Sequence, residues 1–235
     1  MSNNRWWPQQ PIDLARLIDH TLLRPSATRQ DILKAALIGA ENDVASVCIN
    51  PHWVSDVSDL LKGTGVLVCT VVGFPSGAHR PQTIAFEADR AVREGAQEID
   101  MVLPIGRVKM GDWEVVKATI STIKAVIGST TLKVILETCD LTDEEITLSS
   151  RVSFESGAEF VKTSTGFGSG GATTQAVALM AEVAREFDGK VKASGGIRSL
   201  RAVRKMVEAG AHRIGTSSTE MILQELHDSL IDGGS

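Results

Sequence analysis

Three segments of this chain, "EGAQEID", "SGAEFVK" and "AGAHRIG", repeat one arrangement: a helix stops on a Gly-Ala step and a short apolar strand starts just after it. Glycine suits that stop because it adopts the left-handed backbone of a helix C-terminus at no steric cost. A helix that hands over directly to a strand, again and again, builds parallel sheet covered by helices. The stretch "TTQAVALMAEVAREF" sets Ala176, Leu179, Met180, Val183 and Phe187 on one helical face, and "SLRAVRKMVEAG" does the same with Leu200, Val203 and Val207. Between such helices lie "LIDHT", "ASVCIN", "VLVCTVVGF", "EIDMVLP", "LKVILET", "EFVKTST", "KVKASGG" and "HRIGTSS". Eight βα units predict an α/β fold, a single-domain (β/α)8 TIM barrel with a short N-terminal extension. The expected limits are a tail at 1–10, the barrel at 11–231 and a tail at 232–235, with no Pro/Gly/Ser-rich linker between.

The repeat also predicts which side chains meet. Counting from Gly95, Gly157 and Gly210, the fourth residue is Ile99, Val161 or Ile214, and the fifth is Asp100, Lys162 or Gly215. Strand side chains alternate faces, so an outward fourth residue sends the fifth into the barrel. Alternate strands share an interior layer, which brings Asp100 and Lys162 face to face near the mouth. Lys192 in "KVKASGG" follows one βα unit later and adds a second inward lysine on the next strand. Two neighbouring cations disfavour each other's protonation, and desolvation acts in the same direction, so one amine is free to attack a carbonyl. Asp100 offers a carboxylate for proton transfer, and Asp19 and Thr21 share an inward face on the first strand. The alternative at this point is a buried ion-pair network with a structural role only.

Composition narrows the partners. Formal net charge is −5 with acidic and basic residues interleaved, so no basic stripe for nucleic acid exists. No run approaches a membrane span. Cys48, Cys69 and Cys139 are scattered, and the five histidines lack ligand spacing, so neither a disulfide framework nor a metal is expected, and a cytoplasmic location is. Cys48 is a candidate either for the pocket or for the core. The turns "GFGSGGA", "SGGIR" and "GTSS" follow the sixth, seventh and eighth strands. Glycine there lets backbone N–H groups approach an anion, and barrels commonly hold phosphate at the last two of these positions. Candidate substrate contacts in these turns are Gly171, Ser194, Gly195, Gly196, Gly215, Ser217 and Ser218, with Thr165 just before the first as a further candidate; each turn alone also reads as an ordinary tight turn.

In this order, "IDHT", "SVCINP", "VVGFPSG", "EIDMVLPIG", "VILET", "VKTSTGF", "KASGGIR" and "IGTSS" resemble the deoxyribose-phosphate aldolases from about Asp19 to Ser218. The resemblance implies a lysine-dependent aldolase, without metal or cofactor, that reversibly cleaves 2-deoxy-D-ribose 5-phosphate to glyceraldehyde 3-phosphate and acetaldehyde. It implies that Lys162 forms the imine, that Lys192 lowers its pKa, and that Asp100 shuttles protons with Lys192 through water. Asp19, Thr21 and Cys48 match positions lining the substrate site. Expected partners are a phosphosugar and short aldehydes, with neither nucleic acid nor membrane, in a homo-oligomer, dimer or tetramer. Two departures stand out. Many members end in a tyrosine that assists proton transfer, and this chain contains no tyrosine. Some carry a phosphate-holding lysine after "STG", where this chain has Phe167. Rivals are a Schiff-base aldolase of other substrate preference and a non-catalytic phosphosugar-binding barrel.

Overall fold

The computed structural model describes residue 8 and residues 10–232, so most of the expected N-terminal tail and all but one residue of the C-terminal one lie outside the described residues. A short helix α1 (Pro11–Ala15) precedes β1 (Ile18–Leu22). There follow α2 (Arg29–Glu41), β2 (Ser46–Ile49), α3 (Val54–Leu61), β3 (Leu67–Val72), α4 (Pro81–Arg93) and β4 (Glu98–Val102). Two helices, α5 (Ile105–Lys109) and α6 (Trp113–Ile127), lead to β5 (Thr131–Ile135), then α7 (Asp143–Glu155) and β6 (Phe160–Lys162). The chain ends with α8 (Thr174–Glu186), β7 (Lys190–Ser194), α9 (Leu200–Glu208), β8 (Arg213–Thr216) and α10 (Thr219–Asp232). All eight strands pair in parallel with their sequence neighbours, and β8 closes on β1.

The Gly-Ala steps end α4, α7 and α9 through one hydrogen-bond pattern. Gly95, Gly157 and Gly210 have φ of 112°, 94° and 111°. Ala96, Ala158 and Ala211 each donate to the carbonyl five residues back, Ala91, Ser153 and Met206, at 2.9, 3.1 and 2.9 Å. This is the Schellman closure, which needs a left-handed residue at the turn. At the other ends, Thr28 with Asp31 and Thr142 with Glu145 form capping boxes on α2 and α7.

Most of the apolar core lies between barrel and helices, with Ile99, Val161 and Ile214 fully buried in it. Inside the barrel the register staggers the strands into layers. Asp19 pairs with Ser46 and Gly215, Cys69 with Cys48 and Glu98, Lys133 with Asp100 and Phe160, and Lys192 with Lys162 and Arg213. Odd strands thus supply a middle layer of Asp19, Cys69, Lys133 and Lys192. Even strands supply Cys48, Asp100, Lys162 and Gly215 above it and Ser46, Glu98, Phe160 and Arg213 below. Barrel interiors are usually filled by branched apolar residues. Here charge fills much of that space, which concentrates the chemistry along the axis.

Candidate active site

Asp100 is the hub of the interior. It is fully buried, and its Oδ2 accepts from both Lys162 Nζ and Lys192 Nζ at 2.8 Å while its Oδ1 accepts from Lys133 Nζ at 2.9 Å. Burial opposes its charge, yet the three ammonium groups hold its carboxyl well below the usual carboxylate range. Asp19 lies in the same network, 2.5 Å from Lys192 Nζ and 2.6 Å from Arg213, and its carboxyl is lowered in the same way against burial. Burial works against the Lys192 ammonium, but Asp100 and Asp19 overcome it and raise its pKa above the ordinary lysine value. Lys133 is raised well above that value against the same burial, chiefly by Asp100.

The strands explain why these groups converge. Period-2 alternation carries Asp100 and Lys162 inward, as the repeat predicts. Gly215 makes room for the lysine beside it: a Cβ there would lie 2.9 Å from Ser194 Cβ and 3.2 Å from Lys192 Cε. The strand sequence thus places a long cation on β7 and leaves space for its end at Gly215 on β8.

Above the charged layers a cavity of about 310 Å³ opens at the C-terminal end of the strands. Among its walls are Thr21, Lys162, Thr165, Ser194, Gly195, Gly196, Gly215 and Ser217 from the sequence-derived candidates, together with Phe167. Lys162 is the one lysine among the described residues that lines it. Asp19, Cys48, Asp100 and Lys192 lie beneath the cavity, fully buried. Cys48 packs with Leu23, Cys69 and Val71 inside the barrel rather than on the wall. Gly171 is also absent from the wall; a Cβ on it would approach Gly195 O to 2.3 Å, so glycine here lets two loops pack closely. Ser218 is likewise off the wall, and its N–H donates to Thr216 Oγ1 at 2.9 Å.

Several side chains of the buried network and of the cavity rim escaped the sequence reading. Glu98 and Arg213 sit two residues before Asp100 and Gly215, on the same strand faces, where period 2 alone would have found them; Lys133 lies on a strand that no Gly-Ala step precedes. Arg24 and Arg198 line the cavity mouth. Arg24 pairs with Asp31 at 2.8 Å, whereas Arg198 forms no ion pair among the described residues. Cations therefore stand at the rim although position 167 is Phe. The Phe167 ring instead meets Phe74 edge-on, with centroids 5.3 Å apart. Thr165 hydrogen-bonds through N and Oγ1 to the buried Glu137 at the end of β5.

Two sets of donors approach metal-ligand spacing among the described residues: Cys48 with Cys69 and Asp100, and Asp19 with Cys69 and Glu98. The second set surrounds an ammonium already. Lys133 Nζ lies 2.6 Å from Glu98, 3.3 Å from Cys69 Sγ and 3.7 Å from Asp19.

Comparison with known proteins places this geometry. Residues 14–225 match the family described as DeoC/LacD family aldolase. A deoxyribose-phosphate aldolase of Caldanaerobacter subterraneus subsp. tengcongensis is 52% identical over 217 residues, covering 91% of this chain and 94% of the relative. A crystal structure of a putative deoxyribose-phosphate aldolase from Coccidioides immitis superposes with a TM-score of 0.91 at 38% identity, over 93% of this chain and 87% of that one. The tetrameric deoxyribose phosphate aldolase from Aeropyrum pernix gives 0.88 at 34% identity, over 94% and 93%. With its closed parallel barrel and near-complete coverage by these relatives, the chain belongs to the DeoC/LacD aldolase family.

Proposed function

We propose that this protein reversibly cleaves 2-deoxy-D-ribose 5-phosphate to D-glyceraldehyde 3-phosphate and acetaldehyde through an imine on Lys162. The observation that carries the assignment is positional. Lys162 lines the cavity and has one carboxylate partner, Asp100, while Lys192 is fully buried and held by Asp100 and Asp19. A nucleophile must meet substrate, and the lysine that does so is also the one least committed to ion pairs.

In this reading the Lys162 amine adds to the C1 carbonyl of the open-chain sugar, and loss of water leaves a protonated imine. The C3 hydroxyl gives up its proton, the C2–C3 bond breaks, and its electron pair moves into the imine to form an enamine. The phosphorylated aldehyde leaves. Protonation at C2 and hydrolysis then release acetaldehyde and restore the amine. Asp100, bound to both lysines through one oxygen, is placed to pass protons through water, and the charged Lys192 is placed to supply them. The 5-phosphate sits at the rim. Arg198, Ser217 and the glycine turns at Gly195, Gly196 and Gly215 support that seat, and Arg24 adds charge nearby. Asp19 acts from below, by holding Lys192.

The Aeropyrum pernix relative is described as tetrameric, and we read this chain as a homo-oligomer of cytoplasmic location acting on small molecules. Among the described residues no helix is long and apolar enough to cross a membrane. The test is a coupled assay for acetaldehyde with 2-deoxyribose 5-phosphate and, in parallel, free 2-deoxyribose. The reading requires acetaldehyde and glyceraldehyde 3-phosphate in equal amounts from the phosphorylated sugar. Cleavage of the free sugar alone would remove the phosphate seat, and cleavage of neither would remove the substrate.

A further inference from the structure

The described barrel interior holds three carboxylates, Asp19, Glu98 and Asp100, against four cationic side chains, Lys133, Lys162, Lys192 and Arg213. Their pairings are unequal. Lys133 meets Glu98, Asp100 and Asp19; Lys192 meets Asp19 and Asp100; Arg213 meets Asp19 and Glu98. Lys162 meets Asp100 alone. A buried cluster with one cation too many reaches neutrality when one amine gives up its proton, and the least paired amine gives it up first.

We propose that Glu98 and Arg213, in the layer farthest from the cavity, are positioning residues that set the pH at which Lys162 is free to attack. Neither lines the cavity. Arg213 donates to Asp19 at 2.6 Å and lies 3.3 Å from Glu98, and Glu98 accepts from Lys133 at 2.6 Å. Both therefore act on Lys162 only through the charges between them. The inference rests on the imine reading above.

The remaining groups around the cluster add no buried charge to the count: Arg24 and Arg198, on the cavity that Lys162 lines, are exposed at its rim. Ser46, Phe160 and Gly215 are uncharged; Lys190 is exposed, on the far end of β7, 5.6 Å from the Phe160 ring. Cys69 donates to Asp100 Oδ1 at 3.2 Å, and burial first, then Cys48, pushes its thiol well up, which keeps it neutral. Cys48 is lowered by its hydrogen bond with Cys69, against burial, and is counted as a thiol. Glu137 turns to Thr165, above the layers, and pairs with none of the four cations. His20 faces away from the interior, bound to Thr219 at 2.8 Å, and burial lowers it to about 4.

The experiment measures the initial rate of acetaldehyde trapping on Lys162 by borohydride as a function of pH. Arg213→Gln leaves three cations for three carboxylates, so the midpoint of trapping moves to higher pH by about one pH unit, the order expected of one buried charge. Glu98→Gln leaves four cations for two carboxylates and moves it down by a similar amount. Arg213→Lys keeps the charge and keeps the parent's midpoint. A purely structural role would lower rates without moving midpoints in opposite directions, and unmoved or same-direction midpoints overturn the proposal. Glu98→Gln, nearly isosteric, carries the test alone where Arg213→Gln does not fold. Cys48→Ala keeps the midpoint whatever it does to turnover; a downward shift as large as that of Glu98→Gln overturns the count, because the thiol would then supply the missing negative charge. A parent that traps nothing at any pH contradicts the imine reading itself, a result distinct from all of these.

Discussion

Replacing Lys162 and Lys133 separately by Met separates a side chain kept for chemistry from one kept for structure. Met fills nearly the same space in both cases, so cavity formation contributes little. Lys162 gives up one charge-assisted hydrogen bond, at 2.8 Å to an Asp100 oxygen that Lys192 still occupies. Such a bond contributes roughly 1.5–3 kcal/mol. Against that loss stands the removal of a buried ammonium whose desolvation costs several kcal/mol, so the net change for Lys162→Met is about 0 to +2 kcal/mol of stability. Lys133→Met is different. It removes the ammonium that lies 2.6 Å from Glu98, whose remaining cation is Arg213 at 3.3 Å, and 2.9 Å from Asp100 Oδ1, while Asp100 Oδ2 keeps Lys162 and Lys192 at 2.8 Å. Removing one partner of a buried ion pair in this way costs about 3–5 kcal/mol. Urea unfolding at neutral pH, followed by tryptophan fluorescence with refolding checked for coincidence, measures both. Lys162→Met should be as stable as the parent or more so and should have no turnover. A Lys162→Met protein destabilised as much as Lys133→Met would refute the reasoning, because Lys162 would then be a structural ion-pair member.

Lys192→Met should shift the activity profile to higher pH and leave very low turnover, since the amine that must be neutral to attack loses the fixed cation beside it; a parent-like profile at neutral pH would remove that role. Asp100→Asn should still be trapped on Lys162 by borohydride while turnover falls, which single-turnover and steady-state rates on one preparation distinguish. The carboxyls of Asp100 and Asp19 are lowered in the folded state relative to the ordinary value near ~3.9, so their stabilisation is present above that pH and is lost as pH falls through and below it. Acid titration of the unfolding midpoint should therefore show a steep loss in the parent and a shallower one in Asp100→Asn. Ser217→Asp should raise KM for the phosphorylated sugar much more than for free deoxyribose, and Phe167→Lys should increase the preference for phosphate; equal effects on both sugars would place the phosphate elsewhere.

The sequence carried the barrel because each Gly-Ala step marks both a helix end and a strand start, and because the strand period is two. That period also placed Asp100 and Lys162 on one layer, where they lie 2.8 Å apart. Glu98 and Arg213 stand two residues before Asp100 and Gly215 and so share their face, yet counting a single position from each glycine passed over them. Lys133 was hidden for another reason: its strand "LKVILET" has no Gly-Ala step before it, so nothing fixed which residues point inward. Loops have no period, so Arg24 and Arg198 could not be aimed at the mouth from sequence. A glycine-rich turn reads alike whether glycine admits an anion or another backbone. Gly196 borders the cavity, and Gly171 instead packs against the carbonyl of Gly195.

The account stands on which amine becomes covalently bound. Borohydride reduction in the presence of acetaldehyde, followed by proteolysis and mass mapping, reads this directly. The prediction is a two-carbon addition on the peptide containing "FVKTSTG", at Lys162, and none on Lys133 or Lys192. A label on Lys192, or protein that stays unlabelled while it turns substrate over, would contradict it.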